Sequence, residues 1–346
     1  MSWSAAARIH GRLVKAAGTA CPRIVPGISK SVGEPPPTLS GLSPSRVGSV
    51  RNLLASETTR RWPAELASTQ PVNLLRAQKA AVAAARAAGA LMRRNQWSHK
   101  RINVETSHDI KLELDVRCQK LIDRALRGAF PETSLLGEEG VSGQANAPYR
   151  WVVDPIDGTV NFAYGIPHAC VSIALQTRKS ERGTWNESRR SRGARHETAQ
   201  YETVIGVVYD PFCEELWTAI RGRRACLNGK AVHVSRRRRL NEAIVAIGFS
   251  KYRSTLNMML PVLNRLIHRV RKIRVMGSAA LAMTYVACGR MDAYLEPGIR
   301  LWDIAAGGLI LECAGGDFWH EPMPGQFTYR IMANNGLLRR KLDRLV

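Results

Sequence analysis

Apolar residues recur along this chain at two spacings, one typical of helices and the other of buried strands. Helical spacing predicts helices at residues 71–94, 109–127, 256–270, 278–288 and 303–313. Short apolar runs predict buried strands at residues 134–136, 151–153, 169–176 and 203–209. Because strands and helices follow one another in this way, we expect a layered α/β fold.

Two stretches depart from this pattern. Residues 1–70 are rich in Ser, Ala, Pro and Gly without sustained periodicity, so we expect them to be disordered. This basic, acid-poor leader is typical of an organelle transit peptide, although a dispensable bacterial tail or an over-long gene start would read the same. The polar, Arg-rich residues 177–201 predict a long hairpin insertion in a folded domain over residues 71–346. We therefore expect a cytoplasmic protein if it is bacterial, and an organelle-matrix protein if the leader is a transit peptide.

Composition narrows the class of protein. Hydrophobic residues make up 45% of the 346 residues, and no apolar run approaches the length of about 18 residues that a membrane span needs. The seven cysteines are dispersed without a CxxC pair, which argues against a disulfide framework or a structural zinc site. The sequence therefore predicts a soluble globular protein.

The net charge of +23 is unusually high for a chain of this length. Basic residues peak at 189–195, 236–239 and 265–274, and none of these runs is interleaved with the aromatic residues of a single-strand-binding platform. We favour a solvated basic surface, and a nucleic-acid partner stays open as the alternative.

Acidic residues cluster at three places where the pattern predicts a strand end or a helix start. Charged side chains that are removed from water at such positions are costly unless they are paired or coordinate a metal ion. The clusters are Leu136-Gly137-Glu138-Glu139-Gly140, Asp154-Pro155-Ile156-Asp157-Gly158-Thr159 and Leu301-Trp302-Asp303-Ile304.

The second cluster carries most of the chemistry. A buried strand would deliver Asp154 to a sheet edge, and Pro155 would fix a turn that brings Asp157 to the same side. Gly158 and Thr159 would then open a helix whose free amides suit a phosphate. Hard carboxylate oxygens beside a phosphate favour magnesium over zinc. A strand end or a helix cap would explain either acid alone, but the three clusters together favour a metal and phosphate site.

These motifs resemble those of the inositol monophosphatase family. The strings 154–159 and 302–307 look like its two signature motifs, Gly137-Glu138-Glu139 matches its third metal motif, and the similarity runs from Asn73 to Asn335. The resemblance implies an αβαβα sandwich of the inositol monophosphatase and fructose-1,6-bisphosphatase type. It also implies a magnesium-dependent, lithium-sensitive phosphomonoesterase that acts on a small phosphate ester and forms a homodimer.

The resemblance also implies a set of metal ligands. Glu138, Asp154 and the Ile156 carbonyl would hold one Mg²⁺ ion. Asp154, Asp157 and Asp303 would hold a second, and Glu138 would help to hold a third, looser ion.

Further positions would act on the phosphate, the water and the rest of the substrate. The amides of Gly158 and Thr159 would bind the phosphate, and Thr159 with Asp115 would orient the attacking water beside Glu138. The other implied substrate contacts are Asp157, Gly277, Ser278, Ala279, Glu296 and Asp303.

The chain departs from the family pattern in one place. The family has Asp-x-Val-Thr-x-x-Asp ahead of the Gly-Glu-Glu motif and a lysine on the preceding hairpin. Here Leu112 replaces the threonine, and no lysine stands in the matching hairpin position, although Asp115 is retained. The two-ion core is expected to be intact, while the third ion and the tuning of the water stay open.

Substrate choice depends on Glu296, which matches the position where inositol-selective members contact ring hydroxyls. A carboxylate there would accept hydrogen bonds from a vicinal diol, although a surface glutamate at a strand end would read the same. We favour myo-inositol monophosphate, with histidinol phosphate, fructose 1,6-bisphosphate or a 3′(2′),5′-bisphosphate nucleotide as alternatives. A regulatory protein that binds RNA or a transcription complex is the competing hypothesis. A catalytically dead scaffold is disfavoured because every core metal ligand is present.

Overall fold

The computed structural model describes residues 71–98, 102–105, 110–179, 201–249 and 253–346. The leader at residues 1–70 and most of the predicted insertion at residues 177–201 lie outside them. Across these ranges, no helix combines the length and the apolar character that crossing a lipid bilayer requires.

The described chain alternates between helices and strands. Its first part contains α1 (Leu74–Asn95), β1 (Ile102–Glu105), β2 (Ile110–Leu112), α2 (Glu113–Ala129), β3 (Ser134–Gly137), β4 (Gly140–Ser142), β5 (Tyr149–Asp157), α3 (Thr159–Ala163), β6 (Cys170–Arg178), β7 (Tyr201–Asp210) and β8 (Glu215–Ile220). Its second part contains β9 (Cys226–Leu227), β10 (Lys230–Ala231), β11 (Ile244–Ile247), α4 (Arg253–Ile267), β12 (Lys272–Arg274), α5 (Ala279–Ala287), β13 (Ala293–Arg300), α6 (Leu301–Cys313), β14 (Asp317–Pro322), β15 (Thr328–Asn334) and α7 (Arg339–Leu342).

Two large sheets and three helical layers form the folded body. One sheet has eight strands in the order β10-β9-β8-β7-β6-β5-β3-β4, and the other has five in the order β12-β11-β13-β15-β14. Helices α1 and α2 pack on one face of the eight-stranded sheet, α5 and α6 pack against both sheets, and α4 packs on the five-stranded sheet. This order of layers confirms the predicted layered α/β fold.

The predicted boundaries of the first two helices are wrong by a few residues. The first helix begins at Leu74 rather than at Pro71, because the Asn73 side chain caps it by accepting a hydrogen bond from the Arg76 amide at 3.1 Å. The second begins at Glu113 rather than at residue 109, since residues 110–112 form β2, which pairs antiparallel with β1.

Helix α6 approaches its neighbours closely because small residues line it. A Cβ atom added at Gly206 of β7 would lie 2.6 Å from the carbonyl oxygen of Ala306. A Cβ atom at Gly308 would lie 2.4 Å from the ring of Phe318 in β14. This packing fixes the start of α6 beside the eight-stranded sheet, where the Ser172 hydroxyl donates a hydrogen bond to the Trp302 carbonyl at 3.1 Å.

Candidate active site

The two aspartates of the second acidic cluster lie in a β-bulge at the end of β5. Asp154 pairs with Ser172 of β6 and Asp157 pairs with Cys170, so β5 has one residue more than β6 over this span. Residues three apart in a regular strand point to opposite faces of a sheet. The extra residue returns both carboxylates to one side, which agrees with the sequence expectation that the turn brings them together.

Asp303 comes to the same place from the start of α6. Its carboxylate accepts a hydrogen bond from the Arg300 amide at 3.0 Å, while that of Asp154 accepts one from the Ile156 amide at 3.0 Å. The two side chains lie close enough to interact directly. Removal from water raises the pKa of both carboxyls well above the usual value, and nearby acidic groups raise it further. Ionised carboxylates this close to one another repel unless a cation lies among them.

Glu138 lies in the turn between β3 and β4, where a glutamine that we did not predict organises the backbone. The Gln119 amide accepts a hydrogen bond from the Glu139 amide at 2.9 Å and donates one to the Gly140 carbonyl at 3.1 Å. The Gln119 side chain rests against Gly137, where a Cβ atom would lie 2.2 Å from it and displace it from these hydrogen bonds. The negative charge of Glu138 contributes to the raised pKa of both Asp154 and Asp303, which brings this turn into the same cluster.

Asp157 is held by the start of α5. Its carboxylate accepts hydrogen bonds from the Ser278 hydroxyl at 2.7 Å, the Ala280 amide at 2.7 Å and the Ala279 amide at 3.2 Å. Burial raises the pKa of Asp157, and these donors oppose the rise. The predicted pocket residues Ser278 and Ala279 thus contact a predicted metal ligand directly. The Cys170 thiol also donates to the Oδ2 atom at 3.7 Å, so acceptor capacity remains on the Oδ1 atom, which takes only the Ala279 amide.

Two loops that carry predicted phosphate and substrate contacts are joined by Asn161. Its amide donates to the His168 carbonyl at 2.9 Å and to the Met276 carbonyl at 2.8 Å. Gly158 has φ of 96°, and a Cβ atom there would lie 2.9 Å from the His168 carbonyl oxygen, so only glycine fits. Asn161 lies two residues beyond the quoted motif at residues 154–159, and its spacing alone did not indicate this role.

Helix α3 is a single turn of five residues, shorter than the helix expected for phosphate binding. The amides of Gly158 and Thr159 therefore act as part of a tight turn, with little contribution from a helix dipole. The Thr159 hydroxyl donates to the carbonyl of the predicted ligand Ile156 at 2.8 Å. That carbonyl oxygen keeps a second lone pair for another partner.

Asp115 lies buried in the first turn of α2, where it caps the helix. Its carboxylate accepts a hydrogen bond from the Leu112 amide at 2.7 Å. The Leu112 side chain, which replaces the family's threonine, packs in the core with α1 and the eight-stranded sheet. Strand β2, which leads into α2, lies against α3, the element that begins at Thr159.

Glu296 lies half-buried on β13, within range of the carboxylate cluster. The hydroxyl of Tyr294, two residues earlier on the same face of the strand, donates a hydrogen bond to its carboxylate. Removal from water raises the pKa of Glu296 to about 7, the Tyr294 hydrogen bond lowers it, and the charge of Asp157 raises it. Since the charge of Asp157 acts on Glu296, the two carboxyls lie in the same region of the protein.

The donor set fits a hard divalent cation. The charged groups that act on Asp154 are Glu138, Asp157 and Asp303, all of them acidic. Within the described ranges, no three Asp, Glu, His or Cys side chains are already closed around one point as a metal cage. A divalent cation would offset the charge of these carboxylates, and oxygen donors alone suit Mg²⁺.

Comparisons with known proteins identify the family that this chain matches. The sequence model of the inositol monophosphatase family matches residues 73–181 and 198–341. The chain is 39% identical over 238 residues to Nus factor SuhB of Xylella fastidiosa, covering 68% of this chain and 78% of that protein. It is 37% identical over 271 residues to inositol monophosphatase 2 of Solanum lycopersicum, covering 75% of this chain and 93% of that protein.

A solved structure extends the likeness to three dimensions. The inositol monophosphatase from Anabaena (Nostoc) superposes with a TM-score of 0.63 at 32% identity, over 79% of this chain and 96% of that one. The likeness therefore covers nearly the whole of the solved relative.

Proposed function

This chain belongs to the inositol monophosphatase family and is an enzyme that hydrolyses phosphate monoesters, and from that premise we propose that its substrate is a small polyol phosphate, most directly myo-inositol monophosphate. The observation that supports the phosphatase chemistry is the meeting of Glu138, Asp154, Asp157 and Asp303, which come from three separate segments. The choice of a polyol rests on the Glu296 carboxylate beside them. Metal dependence and lithium sensitivity are typical of the family.

We propose that these carboxylates hold two Mg²⁺ ions. Asp154 would bridge them, with Glu138 and the Ile156 carbonyl on one side and Asp157 and Asp303 on the other. Bound magnesium supplies a water of lowered pKa and neutralises the charge of the phosphoryl group. A third ion near Glu138 stays open, because Leu112 replaces the family's threonine.

The protein groups would position the reactants. The amides of Gly158 and Thr159 would hold the phosphate oxygens in the turn that opens α3. The Thr159 hydroxyl and the Asp115 carboxylate would orient the attacking water, with Glu138 beside them. Positioning of this kind accounts for most of the catalysis in phosphoryl transfer.

The substrate alcohol would lie toward β13. The Glu296 carboxylate would accept hydrogen bonds from ring hydroxyls, and Gly277, Ser278 and Ala279 would line the same side of the pocket. A buried acceptor left without a donor is costly. A simple aryl phosphate, which offers no hydroxyl to Glu296, would therefore bind this side of the pocket less favourably than a polyol phosphate.

A phosphate-release screen with Mg²⁺ tests this proposal. Inositol, histidinol, fructose and nucleotide phosphates would be compared on the wild type, on Asp154→Asn and on the control Asp343→Asn, whose carboxylate lies exposed on the surface. We expect the highest kcat/KM with inositol monophosphate, activity only with the metal, and loss only in Asp154→Asn. A higher kcat/KM with another ester would show that inositol monophosphate is not the preferred substrate. Activity in Asp154→Asn would contradict the proposed set of metal ligands.

We also propose a homodimer, supported by an apolar patch. Trp97 is 80% exposed and its ring lies over Gly165, between Tyr164 at 74% and Ile166 at 50% exposure. Apolar side chains grouped in this way are typical of interfaces. Light scattering measures the molar mass in solution and so distinguishes a dimer from a monomer. We expect Tyr164→Ser to shift the protein toward the monomer.

A second candidate function is binding of a nucleic acid, which two observations favour. One relative is named Nus factor SuhB. In addition, the runs at 236–239 and 265–274 meet the C-terminal residues, since the Lys341 ammonium donates to the Arg238 carbonyl and the Arg265 guanidinium donates to the Leu345 carbonyl at 2.7 Å. The exposed cations of these segments are Arg236, Arg238, Arg239, Arg265, Arg269, Arg271, Lys272, Arg274, Arg340, Lys341 and Arg344.

Salt dependence tests this second function. Contacts of lysine and arginine with phosphates weaken steeply as salt rises. We expect an oligoribonucleotide to bind wild type and Asp157→Asn alike, and to bind Arg340→Glu/Arg344→Glu more weakly. Binding that is unchanged by salt or by this charge reversal would show that this basic surface does not bind the oligoribonucleotide.

A further inference from the structure

The carboxylate of Glu296 occupies the space that a side chain at position 248 would need. Gly248 directly follows β11, and its amide donates to the Leu295 carbonyl at 3.0 Å, which continues the parallel pairing of β11 with β13. A Cβ atom at Gly248 would lie 1.9 Å from the Glu296 Oε2 atom and 2.4 Å from its Cδ atom. The first of these distances is about 1.5 Å short of ordinary van der Waals contact at 3.4 Å. The carboxylate therefore rests against the bare backbone of Gly248.

Tyr294 holds the same carboxylate oxygen from another direction. Its hydroxyl donates to Glu296 Oε2, and the tyrosine side chain is only 3% exposed, so its packing fixes the position of this donor. The charges of Asp157 and Asp303 both act on the Tyr294 hydroxyl, which places it at the edge of the carboxylate cluster. One oxygen of Glu296 is thus engaged by Tyr294, and the other remains as the acceptor for a ligand.

We propose that Gly248 and Tyr294 are positioning residues that fix the Glu296 carboxylate as an acceptor for a vicinal diol, and so set the preference for polyol phosphates over phosphates without hydroxyls. This inference rests on the proposed function. Neither residue contacts the reacting phosphate; both act through Glu296. A carboxylate moved by about 1 Å no longer meets both hydroxyls of a ring at hydrogen-bond distance, and misplacement on this scale has large kinetic effects.

Gly248→Ala separates this role from folding. The φ angle at Gly248 lies outside the left-handed region, so alanine suits the backbone there. The atoms in the way belong to the far end of a flexible side chain, which can swing aside at little cost. Gly128→Ala is the matched control, because a Cβ atom there would meet nothing within 4 Å.

The test compares steady-state kinetics on myo-inositol 1-phosphate and on p-nitrophenyl phosphate, both with Mg²⁺. We expect Gly248→Ala to lower the ratio of kcat/KM for the polyol to that for the aryl ester by about tenfold, chiefly through KM. Tyr294→Phe should lower the ratio about threefold, since it removes one hydrogen bond to a charged group. Gly128→Ala should leave the ratio at the wild-type value.

A double-mutant cycle excludes a merely structural effect. In a Glu296→Ala background the carboxylate is absent, so Gly248→Ala should change the ratio no further. Equal losses on both esters, or additive effects in the cycle, would overturn the positioning role. If the wild type fails to prefer the polyol, the proposed substrate is wrong, and that result is visible before any variant is measured.

Discussion

At the residue scale, the acidic side chains of the site are held by donors that belong to other elements. Asp157 takes three hydrogen bonds from the start of α5, and Gln119 fixes the turn that carries Glu138. Such donors limit the rotamers of the carboxylates before any ion arrives, which favours a site that needs little rearrangement. They also explain why acidic residues can remain at positions where burial opposes their charge.

The pair Asp154 and Asp303 gives a prediction on activity and stability together. Asp303→Asn keeps the cap on α6, because an asparagine side chain also accepts a hydrogen bond from the Arg300 amide. It also removes one carboxylate from a crowded acidic cluster, in which the charges of Asp157 and Glu138 act on Asp303. We therefore expect Mg²⁺-dependent turnover to fall more than about 100-fold, as for loss of a metal ligand, while the Tm without Mg²⁺ rises.

Phosphate release and calorimetry with chelator measure these two effects. A variant that keeps its turnover would contradict the ligand assignment. A variant that loses Tm in chelator would contradict the account of repulsion within the cluster.

Glu296 gives a prediction on pH. Its pKa is about 7 in the folded protein and 4.5 in the unfolded chain, so the folded state holds its proton more tightly. Its contribution to stability is therefore full below about pH 4.5 and is lost as the pH rises through about 7. Glu296→Gln keeps an acceptor for Tyr294 and cannot ionise, so it should be more stable than wild type by about 1–2 kcal/mol at pH 8, with a much smaller gain at pH 5.

Urea unfolding of both proteins at the two pH values, with chelator present, measures this difference. A gain that is the same at pH 5 and pH 8 would show that Glu296 is not responsible.

At the element scale, close backbone packing sets where the site lies. Helix α6 meets β7 through Gly206, with no room for a methyl group against the Ala306 backbone. We predict that Gly206→Ala pushes α6 away from the sheet, destabilises the protein by about 1–3 kcal/mol and lowers turnover, since Asp303 begins that helix. Gly128→Ala is again the control. Chemical unfolding that shows equal stability for the two variants would contradict this packing.

Sequence patterns predicted the helices and the strands of the eight-stranded sheet better than the strands of the five-stranded sheet. Strands near 134, 151, 169 and 203 are buried runs of β-branched and aliphatic residues, which the pattern marks clearly. The strands of the five-stranded sheet were not predicted. The longer β13, β14 and β15 mix apolar residues with polar residues or with Pro and Gly, and β11 and β12 have only four and three residues. Runs this short do not distinguish a strand from a loop, and their pairing partners lie far along the chain.

The acids of the site were predictable because motifs carry them, and the donors around them were not. Gln119 lies four residues after Asp115 on α2, a spacing that places both on one helix face, and this is the only signal in the sequence. Gly248 and Tyr294 act through side-chain placement across two strands, which depends on register. Local patterns do not fix register, so these contacts needed coordinates.

At the scale of the whole molecule, the layered fold brings segments from 138 to 303 to one place. The family match begins at residue 73 and helix α1 begins at Leu74. We predict that deletion of Met1 to Glu65 leaves kcat, KM and Tm of the enzyme unchanged. The same assays on both forms test this, and a loss of turnover would show that the leader contributes to the folded enzyme.

The central claim is that carboxylates from β5, α6 and the β3–β4 turn hold divalent cations beside the α3 turn. The most direct measurement is anomalous diffraction from crystals of the full chain grown with Mn²⁺ in place of Mg²⁺. We expect two anomalous peaks bonded to Asp154, one of them shared with Glu138 and the other with Asp157 and Asp303. Peaks elsewhere on the protein, with none at Asp154, would contradict the account.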